Sequence, residues 1–235
     1  GVARRKIRTA FRRALDEQRA FARQLRELNG GILRRSRDAG RLTLLVAGRP
    51  YHADPLIQHK IAEMVAGMGV DVITDDIVRG ENISTADTHY VAQWAYANRI
   101  LRAAAWASRQ DRNVQFVELT SFGCGPDALL TDEVRDLLGR HGKSLTLLKI
   151  DDVSNTGSLK LRIRSLIESL KLGHASQAAP RPFVTTPDFG ERDRKRKILV
   201  PFFTPFISPL IPALLKRAGY EAENLPMSTQ ASVES

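Results

Sequence analysis

The chain alternates short apolar runs with amphipathic segments, and this alternation limits its possible folds more than any other feature. Four apolar runs of strand length occur at residues 42–48, 70–74, 114–119 and 145–150. Segments with helical spacing follow them, at about residues 55–68, 88–108, 126–141 and 157–172. Continuous apolar runs are typical of parallel strands buried on both faces. The alternation therefore predicts an α/β fold, a doubly wound parallel sheet covered by helices.

The remaining segments divide the chain into four predicted parts. These are an N-terminal helical segment (1–40), an α/β lobe (41–173), a linker (174–196) and the beginning of a second α/β lobe (197–235). In the first part, Ile7, Phe11 and Leu15 lie near helical spacing, which predicts a long amphipathic helix, either continuous or broken at Gly30-Gly31. For the lobe we expect the flavodoxin-like strand order 2-1-3-4.

Composition indicates which classes of partner are favoured. The net charge is +10, and much of the excess lies in residues 4–13 and 192–197. Neither run is interleaved with exposed aromatic residues. A solvated helix face and a solvated linker therefore explain these basic runs more simply than nucleic-acid binding does, and nucleic-acid binding is not favoured. The apolar runs are shorter than the about 20 residues of a membrane-spanning helix. With a single cysteine and no signal-peptide pattern, the sequence predicts a cytoplasmic protein without a membrane segment.

Two unusual loops follow the first and third predicted strands. One loop covers residues 48–55 and contains Arg49, Tyr51 and His52; the other covers residues 121–127 and holds the only cysteine, Cys124. In the 2-1-3-4 order, these loops meet where the strand order reverses, which is where α/β proteins bind ligands. The glycines beside Cys124 leave room for a ligand, and the following helix start favours a thiolate.

Each of these residues also has a purely structural interpretation. Cys124 can be a small buried apolar residue, and His52 can cap a helix or bind a carbonyl group. Arg49 can pair with Asp54 or Asp127, although an arginine at this edge also suits a phosphate or a carboxylate. Asp54 and Asp127 are favoured as helix caps.

Several common functional motifs are missing from the sequence. It contains no phosphate-binding loop of the form G-x-x-x-x-G-K-[ST], no G-x-G-x-x-G after a strand and no C-x-x-C. Nucleotide hydrolysis and dinucleotide binding therefore have no motif to support them. A hydrolase using Cys124 and His52 stays open, although nothing identifies a third group to orient the histidine.

Four motifs together resemble those of a known family. They are LVAGRPYHADP (45–55), QWAY (93–96), SFGCGPDA (121–128) and LKIDD (148–152). The chain resembles the acyl-CoA dehydratase activase-related proteins, also called CoA-substrate-specific enzyme activases. Part of those proteins is similar to the iron–sulfur subunits of 2-hydroxyacyl-CoA dehydratases and to double-cubane cluster proteins. The resemblance is most specific over about residues 41–172.

This resemblance implies a site and a set of partners. It implies a [4Fe–4S]-type cluster held by cysteine thiolates, with Cys124 as the one metal ligand in this chain. The cavity around it would be lined by Arg49, Tyr51, His52, Ser121, Gly123 and Gly125. ATP would bind only on a separate activase module, and further cluster-bearing lobes would be partners.

The sequence departs from this family pattern in one respect. A cluster needs three or four protein ligands, and the chain has a single cysteine. We therefore expect a fragment or a truncated relative that binds no cluster in isolation.

Two functional hypotheses follow. In the first, the chain is part of an ATP-driven iron–sulfur electron-transfer system, a non-catalytic or partial segment acting with an acyl-CoA-type substrate. In the second, it is a cluster-free lobe that binds a phosphate or CoA moiety, or docks a partner domain. Association with further copies of the chain is compatible with both hypotheses.

Overall fold

A computed structural model of the chain describes residues 2–89, 94–121, 125–150, 156–172, 180–185 and 187–230. The chain divides into two compact units, Gly1–Thr185 and Thr186–Ser235. The first unit contains both of the loops that the sequence singles out.

A four-stranded parallel sheet forms the centre of the first unit. Its strands are β1 (Thr43–Ala47), β2 (Asp71–Thr74), β3 (Val114–Thr120) and β4 (Thr146–Lys149). Their order is β2-β1-β3-β4, with every neighbouring pair parallel. The predicted doubly wound α/β fold and its 2-1-3-4 order are confirmed.

Helices cover both faces of this sheet. They are α1 (Arg4–Asp38), α2 (Ile61–Ala66), α3 (Ala95–Ser108), α4 (Gly125–Arg140) and α5 (Thr156–Lys171). Side chains of β3 alternate between the two faces. Val114 and Phe116 join the core with α3, α4 and the C-terminal part of α1, whereas Val117 and Leu119 join the core with α2 and α5.

The helix after β1 starts later than the sequence predicts. As expected of a cap, Asp54 Oδ1 accepts hydrogen bonds from the backbone N–H groups of Leu56 and Ile57, at 2.8 and 3.3 Å. The chain does not continue as a helix, because His59 and Lys60 adopt left-handed backbone conformations with φ of 51° and 55°. Such conformations interrupt a right-handed helix. The predicted start near residue 55 is therefore wrong, and α2 begins at Ile61.

The first helix has the length that the sequence predicts. It runs without interruption from Arg4 to Asp38, so of the two alternatives the continuous helix is confirmed and there is no break at Gly30-Gly31. Only its C-terminal third packs on the lobe. There Leu33 is buried in the core, and Asn29 Oδ1 accepts a hydrogen bond from the backbone N–H of Thr74 at 2.7 Å. These contacts hold the helix across both glycines, whose lower helix propensity costs only about 1 kcal/mol each.

The second unit contains one parallel β-α-β arrangement. Its elements are β5 (Ile198–Val200), α6 (Leu210–Arg217) and β6 (Ala222–Asn224). The buried Ser208 fixes the turn before α6, because its Oγ accepts hydrogen bonds from the backbone N–H groups of Phe203 and Thr204, at 2.8 and 3.1 Å. Across the described residues of both units, no helix combines the length and apolar character needed to cross a membrane.

Adjacent leucines of α4 provide a test of this core assignment. Leu130 is fully buried in the sheet-facing core, whereas Leu129 is 69% exposed. Leu130→Ala should lower the free energy of unfolding by about 2–5 kcal/mol through lost burial and a new cavity. Leu129→Ala should change it by less than about 0.5 kcal/mol. Urea unfolding followed by circular dichroism measures both, and equal effects would contradict the described orientation of α4.

Candidate functional site

The described parts of the two singled-out loops lie side by side at the carboxyl edge of the sheet. Ala47, the last residue of β1, pairs with Glu118 near the end of β3. The loops that begin at Gly48 and Ser121 therefore leave neighbouring strands. This edge is the topological switch point, because the connections from β1 and β3 run to opposite sides of the sheet.

The imidazole of His52 joins the two loops. Its Nδ1 accepts a hydrogen bond from the backbone N–H of Arg49 at 3.0 Å, and its Nε2 lies 3.1 Å from Ser121 Oγ. Because Nδ1 is an acceptor, the ring proton is on Nε2, which donates to the hydroxyl of Ser121. The Tyr51 hydroxyl lies 3.2 Å from the same oxygen, and its ring packs edge-on against His52 with centroids 4.4 Å apart.

These contacts restrict what His52 can do. The side chain is 2% exposed. Burial lowers the pKa of His52; the carboxylate of Asp127 opposes this effect, and the guanidinium of Arg49 adds to it. The ring is therefore neutral at pH 7, and both of its nitrogens already have partners. A metal ligand or a general base needs a nitrogen lone pair free for its target. In this arrangement, the geometry favours a structural role for His52 over both chemical roles.

An ion pair forms the second connection between the loops. Arg49 donates from Nε to Asp127 Oδ1 at 3.1 Å, and its Nη2 contacts the same oxygen. Asp127 lies in the first turn of α4, where helix N-terminal N–H groups also favour a carboxylate. Both side chains are largely buried, which strengthens the attraction between them. Of the two partners expected for Arg49, the structure gives Asp127.

The close approach of the loops depends on the absence of a side chain at Gly48. A Cβ atom there would lie 2.7 Å from His52 Nδ1 and 3.1 Å from both the Cβ and the carbonyl oxygen of Leu119. The first of these separations is shorter than real Cβ contacts allow. Glycine at this position thus permits His52 to fold back over the end of β1.

A cavity of about 120 Å³ lies at this edge, between the ends of β1 and β2. Its wall includes Gly48, Arg49, His52, Asp75 and Arg99. Asp75 is 4% exposed and is held by Arg99 through two hydrogen bonds of 2.5 and 2.6 Å. Burial raises the pKa of Asp75, and the hydrogen bonds and charge of Arg99 oppose this change. The volume is well below the about 300–1,000 Å³ typical of small-molecule pockets.

A larger cavity lies away from the loops. It has a volume of about 400 Å³ and is lined by residues of α2, of the turn that follows α2 and of α5, including Met64, Met68, Lys160 and Arg164. None of the predicted site residues lines it. Its lining belongs to the outer helices rather than to the carboxyl ends of the strands, so the smaller cavity is the better candidate site.

A buried carboxyl group lies close to these loops on β3. Glu118 is 2% exposed, and its Oε1 accepts a hydrogen bond from Thr131 Oγ1 on α4 at 3.1 Å. Its Oε2 has no hydrogen-bond partner among the described residues. Burial raises the pKa of Glu118 to about 7. The hydrogen bond from Thr131 lowers this pKa, whereas the negative charge of Asp127 raises it further.

The structure brings together four of the seven predicted site residues. Arg49, Tyr51, His52 and Ser121 form one network. Gly125 is the exposed first residue of α4, and a Cβ there would meet no atom within 4 Å. Gly123 and Cys124 lie outside the described residues. Within the described ranges, no group of three or more His, Cys, Asp or Glu side chains could hold a metal ion.

Sequence reasoning missed two features of the site. Glu118 interrupts an apolar run, and this polar residue in a buried strand was an available signal. The pair of Asp75 and Arg99 joins residues 24 positions apart. Asp75 directly follows β2 at the functional edge, but nothing local in the sequence identifies Arg99 as its partner.

Gly48→Ala tests the close packing of the loops. The added methyl group must displace His52 or Leu119, which should lower the free energy of unfolding by about 1–3 kcal/mol. Gly139→Ala is the matched control, because its Cβ would meet only Arg181 Nη2 at 3.7 Å, an ordinary contact. Urea unfolding measures both variants. A Gly48→Ala protein as stable as the wild type would show that the loops do not need this approach.

Glu118 predicts a specific pH dependence of stability. Its pKa is about 7 in the folded chain and 4.5 ordinarily, so the folded state holds the proton more tightly. Stability from this group is complete below pH 4.5 and is lost as the pH rises through 7, by about 3 kcal/mol in total. Glu118→Gln should remove this loss, whereas Glu63→Gln at an exposed site should not.

The measurement is urea unfolding of wild type and variants at matched pH values from 5 to 8. His52 acts in the opposite sense, because its lowered pKa removes stability as the pH falls through about 6.5. Comparing proteins at the same pH cancels that contribution. Parallel pH profiles for wild type and Glu118→Gln would contradict the prediction.

The N-terminal third of the chain matches a known protein family. Residues 1–78 match the family model described as CoA enzyme activase uncharacterised domain (DUF2229). The matched residues include the loop with Arg49, Tyr51 and His52, and they end before the loop with Cys124. Neither the comparison with curated proteins nor that with solved structures gives a match. The match over residues 1–78 confirms the resemblance of this chain to the CoA enzyme activase family.

Proposed function

We propose that this chain is a component of an ATP-driven iron–sulfur electron-transfer system related to 2-hydroxyacyl-CoA dehydratases and their activases. It contributes one cluster thiolate, Cys124, and part of the surrounding cavity. The family match over residues 1–78 supports an activase-type role. The iron–sulfur assignment has a separate basis, which is the motif around Cys124 and its position in the fold.

The observation that carries the proposal is a set of side-chain contacts that hold the chain in place on both sides of Cys124. On one side, Ser121 contacts His52 and Tyr51; on the other, Asp127 pairs with Arg49. A thiolate whose position is set by its neighbours before the metal binds loses less conformational freedom on binding. In both sets of contacts the partner residues belong to the loop after β1, at the edge where α/β proteins bind ligands.

Charge balance near Cys124 also suits a thiolate. Cys124 directly precedes α4, a 16-residue helix whose N-terminal N–H groups favour negative charge. The carboxylate of Asp127 would oppose a second anion nearby. Its ion pair with Arg49 offsets that repulsion, so the arginine supports the site without contacting the cluster.

The proposed cluster needs ligands from outside this chain. Clusters of this type are held by about three or four protein ligands. The chain has one cysteine, and the described residues contain no metal-binding group. His52 does not fit as a further ligand, since both of its nitrogens have partners. The remaining thiolates would come from other cluster-bearing lobes. ATP would bind to a separate activase module. A cluster of this type would transfer one electron at a time.

The alternative function, cluster-free binding of a phosphate or CoA moiety, has weaker support. Phosphate recognition at this edge would use Arg49, whose guanidinium is engaged by Asp127. The adjacent cavity of about 120 Å³ is smaller than a typical small-molecule pocket. An acyl-CoA-type substrate would therefore bind mainly to surfaces beyond this cavity.

Replacing the single cysteine tests the proposal. The longest natural protein that contains this chain is reconstituted anaerobically with iron and sulfide, together with its activase module. Cys124→Ser should reduce bound iron and visible cluster absorption by at least half, because an oxygen ligand replaces a thiolate. Ser84→Ala, at an exposed position of the same lobe, is the control and should retain both.

The opposite outcome is equally definite. If Cys124→Ser keeps the iron content and spectrum of the wild type, Cys124 is not a ligand. The electron-transfer assignment for this chain would then be abandoned. Thermal-shift titration with an acyl-CoA separately tests the alternative, which predicts stabilisation of the wild-type lobe and none for Arg49→Ala.

A further inference from the structure

The N-terminal part of α1 has an exposed apolar face. Ile7, Phe11 and Phe21 are 56%, 62% and 57% exposed. The expectation that the basic run at residues 4–13 contains no exposed aromatic side chain is therefore wrong at Phe11. Isolated exposed apolar residues are common on proteins, but several large ones along one helix face indicate an interaction surface. The proposed function assigns no role to this face.

The spacing of this face is that of a coiled coil. Apolar or small side chains recur at alternating intervals of four and three residues, with one polar position. We call this set the N-terminal seam; its positions are Ile7, Phe11, Ala14, Gln18, Phe21 and Leu25. An average period of 3.5 residues keeps a seam facing a second helix. From Ile7 to Leu25 it extends over roughly 27 Å of helix, at 1.5 Å per residue.

The same side of α1 already packs on protein further along the helix. Asn29 and Leu33 follow Leu25 at intervals of four residues, and both are buried against the lobe. The seam thus continues a helix face whose C-terminal end packs against the lobe of the same chain. This continuity favours a protein partner for the exposed part.

The charge distribution along the N-terminal part of α1 indicates the kind of partner. Residues 4–13 carry six basic and no acidic side chains, and residues 14–27 carry three of each. A second copy aligned in parallel would place basic side chains against basic ones. An antiparallel copy would place them against a segment of no net charge. Of these helical partners, an acidic helix is the one that complements the basic segment.

We propose that the N-terminal seam binds an acidic amphipathic helix of a partner protein, packed as a coiled coil. Its apolar positions would meet Phe11 and Phe21, and its flanking glutamates or aspartates would pair with Arg8, which flanks the seam, and with Arg4 at the N-terminal end of the seam. The other four basic side chains of residues 4–13 lie further round the helix and would attract the acidic partner over a longer range. Ala14 and Gln18 at the centre of the seam favour this partner over an anionic membrane. Membrane-surface helices instead present a broad face of bulky apolar residues.

The test measures binding of the 235-residue chain to designed peptides by fluorescence anisotropy. The acidic peptide has four heptads with isoleucine and leucine in its seam and glutamate on both flanks; the basic peptide has lysine in place of glutamate. The acidic peptide should bind at least tenfold more tightly than the basic one. Phe11→Ser with Phe21→Ser should weaken its binding at least tenfold, because buried aromatic anchors dominate interfaces.

Thr9→Ala with Gln24→Ala is the matched control. Both residues are exposed and lie off the seam, and neither change alters charge. This variant should bind the acidic peptide as the wild type does. Because Phe11 and Phe21 are exposed, their replacement should preserve folding, which circular dichroism and urea unfolding verify.

Four results would overturn the proposal. Equal binding of the acidic and basic peptides would remove the charge argument, and unchanged binding by the double phenylalanine variant would remove the seam. Tighter binding to phosphatidylserine vesicles or duplex DNA than to the acidic peptide would assign the face to a membrane or a nucleic acid. Seam-dependent dimerisation in sedimentation equilibrium would assign it to a second copy.

Discussion

Parallel pairing of β1 with β3 runs from Thr43 opposite Val114 to Ala47 opposite Glu118. Both strands are central and almost fully buried, so their register is set by the two cores on either side of the sheet. This register brings Gly48 and Ser121 to the same edge. The contacts among Arg49, His52, Ser121 and Asp127 all depend on that alignment, because a shift of one residue would separate the loops and reverse every side chain.

The site is stabilised by short-range polar contacts in a protected environment. An isolated surface ion pair contributes little, whereas the pair of Arg49 and Asp127 is largely buried and accompanied by the His52–Ser121 hydrogen bond. The same is true of Asp75 and Arg99 on the other side of the cavity. Such groups are costly to bury individually. Each pair is therefore neutral as a unit, whereas residues 4–13 on the exposed part of α1 carry six basic side chains and no acidic one.

The parallel sheet could be predicted from the sequence, because apolar periodicity and β-α alternation are local signals. Its order and the convergence of the two loops were predicted by assuming the flavodoxin-like arrangement. The start of α2 could not. Asp54 and the proline after it form a correct capping pattern, yet the left-handed conformations of His59 and Lys60 leave no trace in residue type. Asp75 with Arg99 was also beyond prediction, since the pairing arises only after β2 and α3 pack. Helix α1 crosses Gly30-Gly31 because tertiary contacts outweigh propensity.

One further consequence follows from the anchoring of α1. Asn29 accepts a hydrogen bond from the backbone N–H of Thr74, the residue before Asp75 in the cavity wall. Helices curve only gently over several turns unless a kink intervenes, and α1 is continuous. The C-terminal part of α1 is therefore joined directly to the wall of the cavity. The same helix that carries the exposed seam thus helps to hold the residues that line the candidate site.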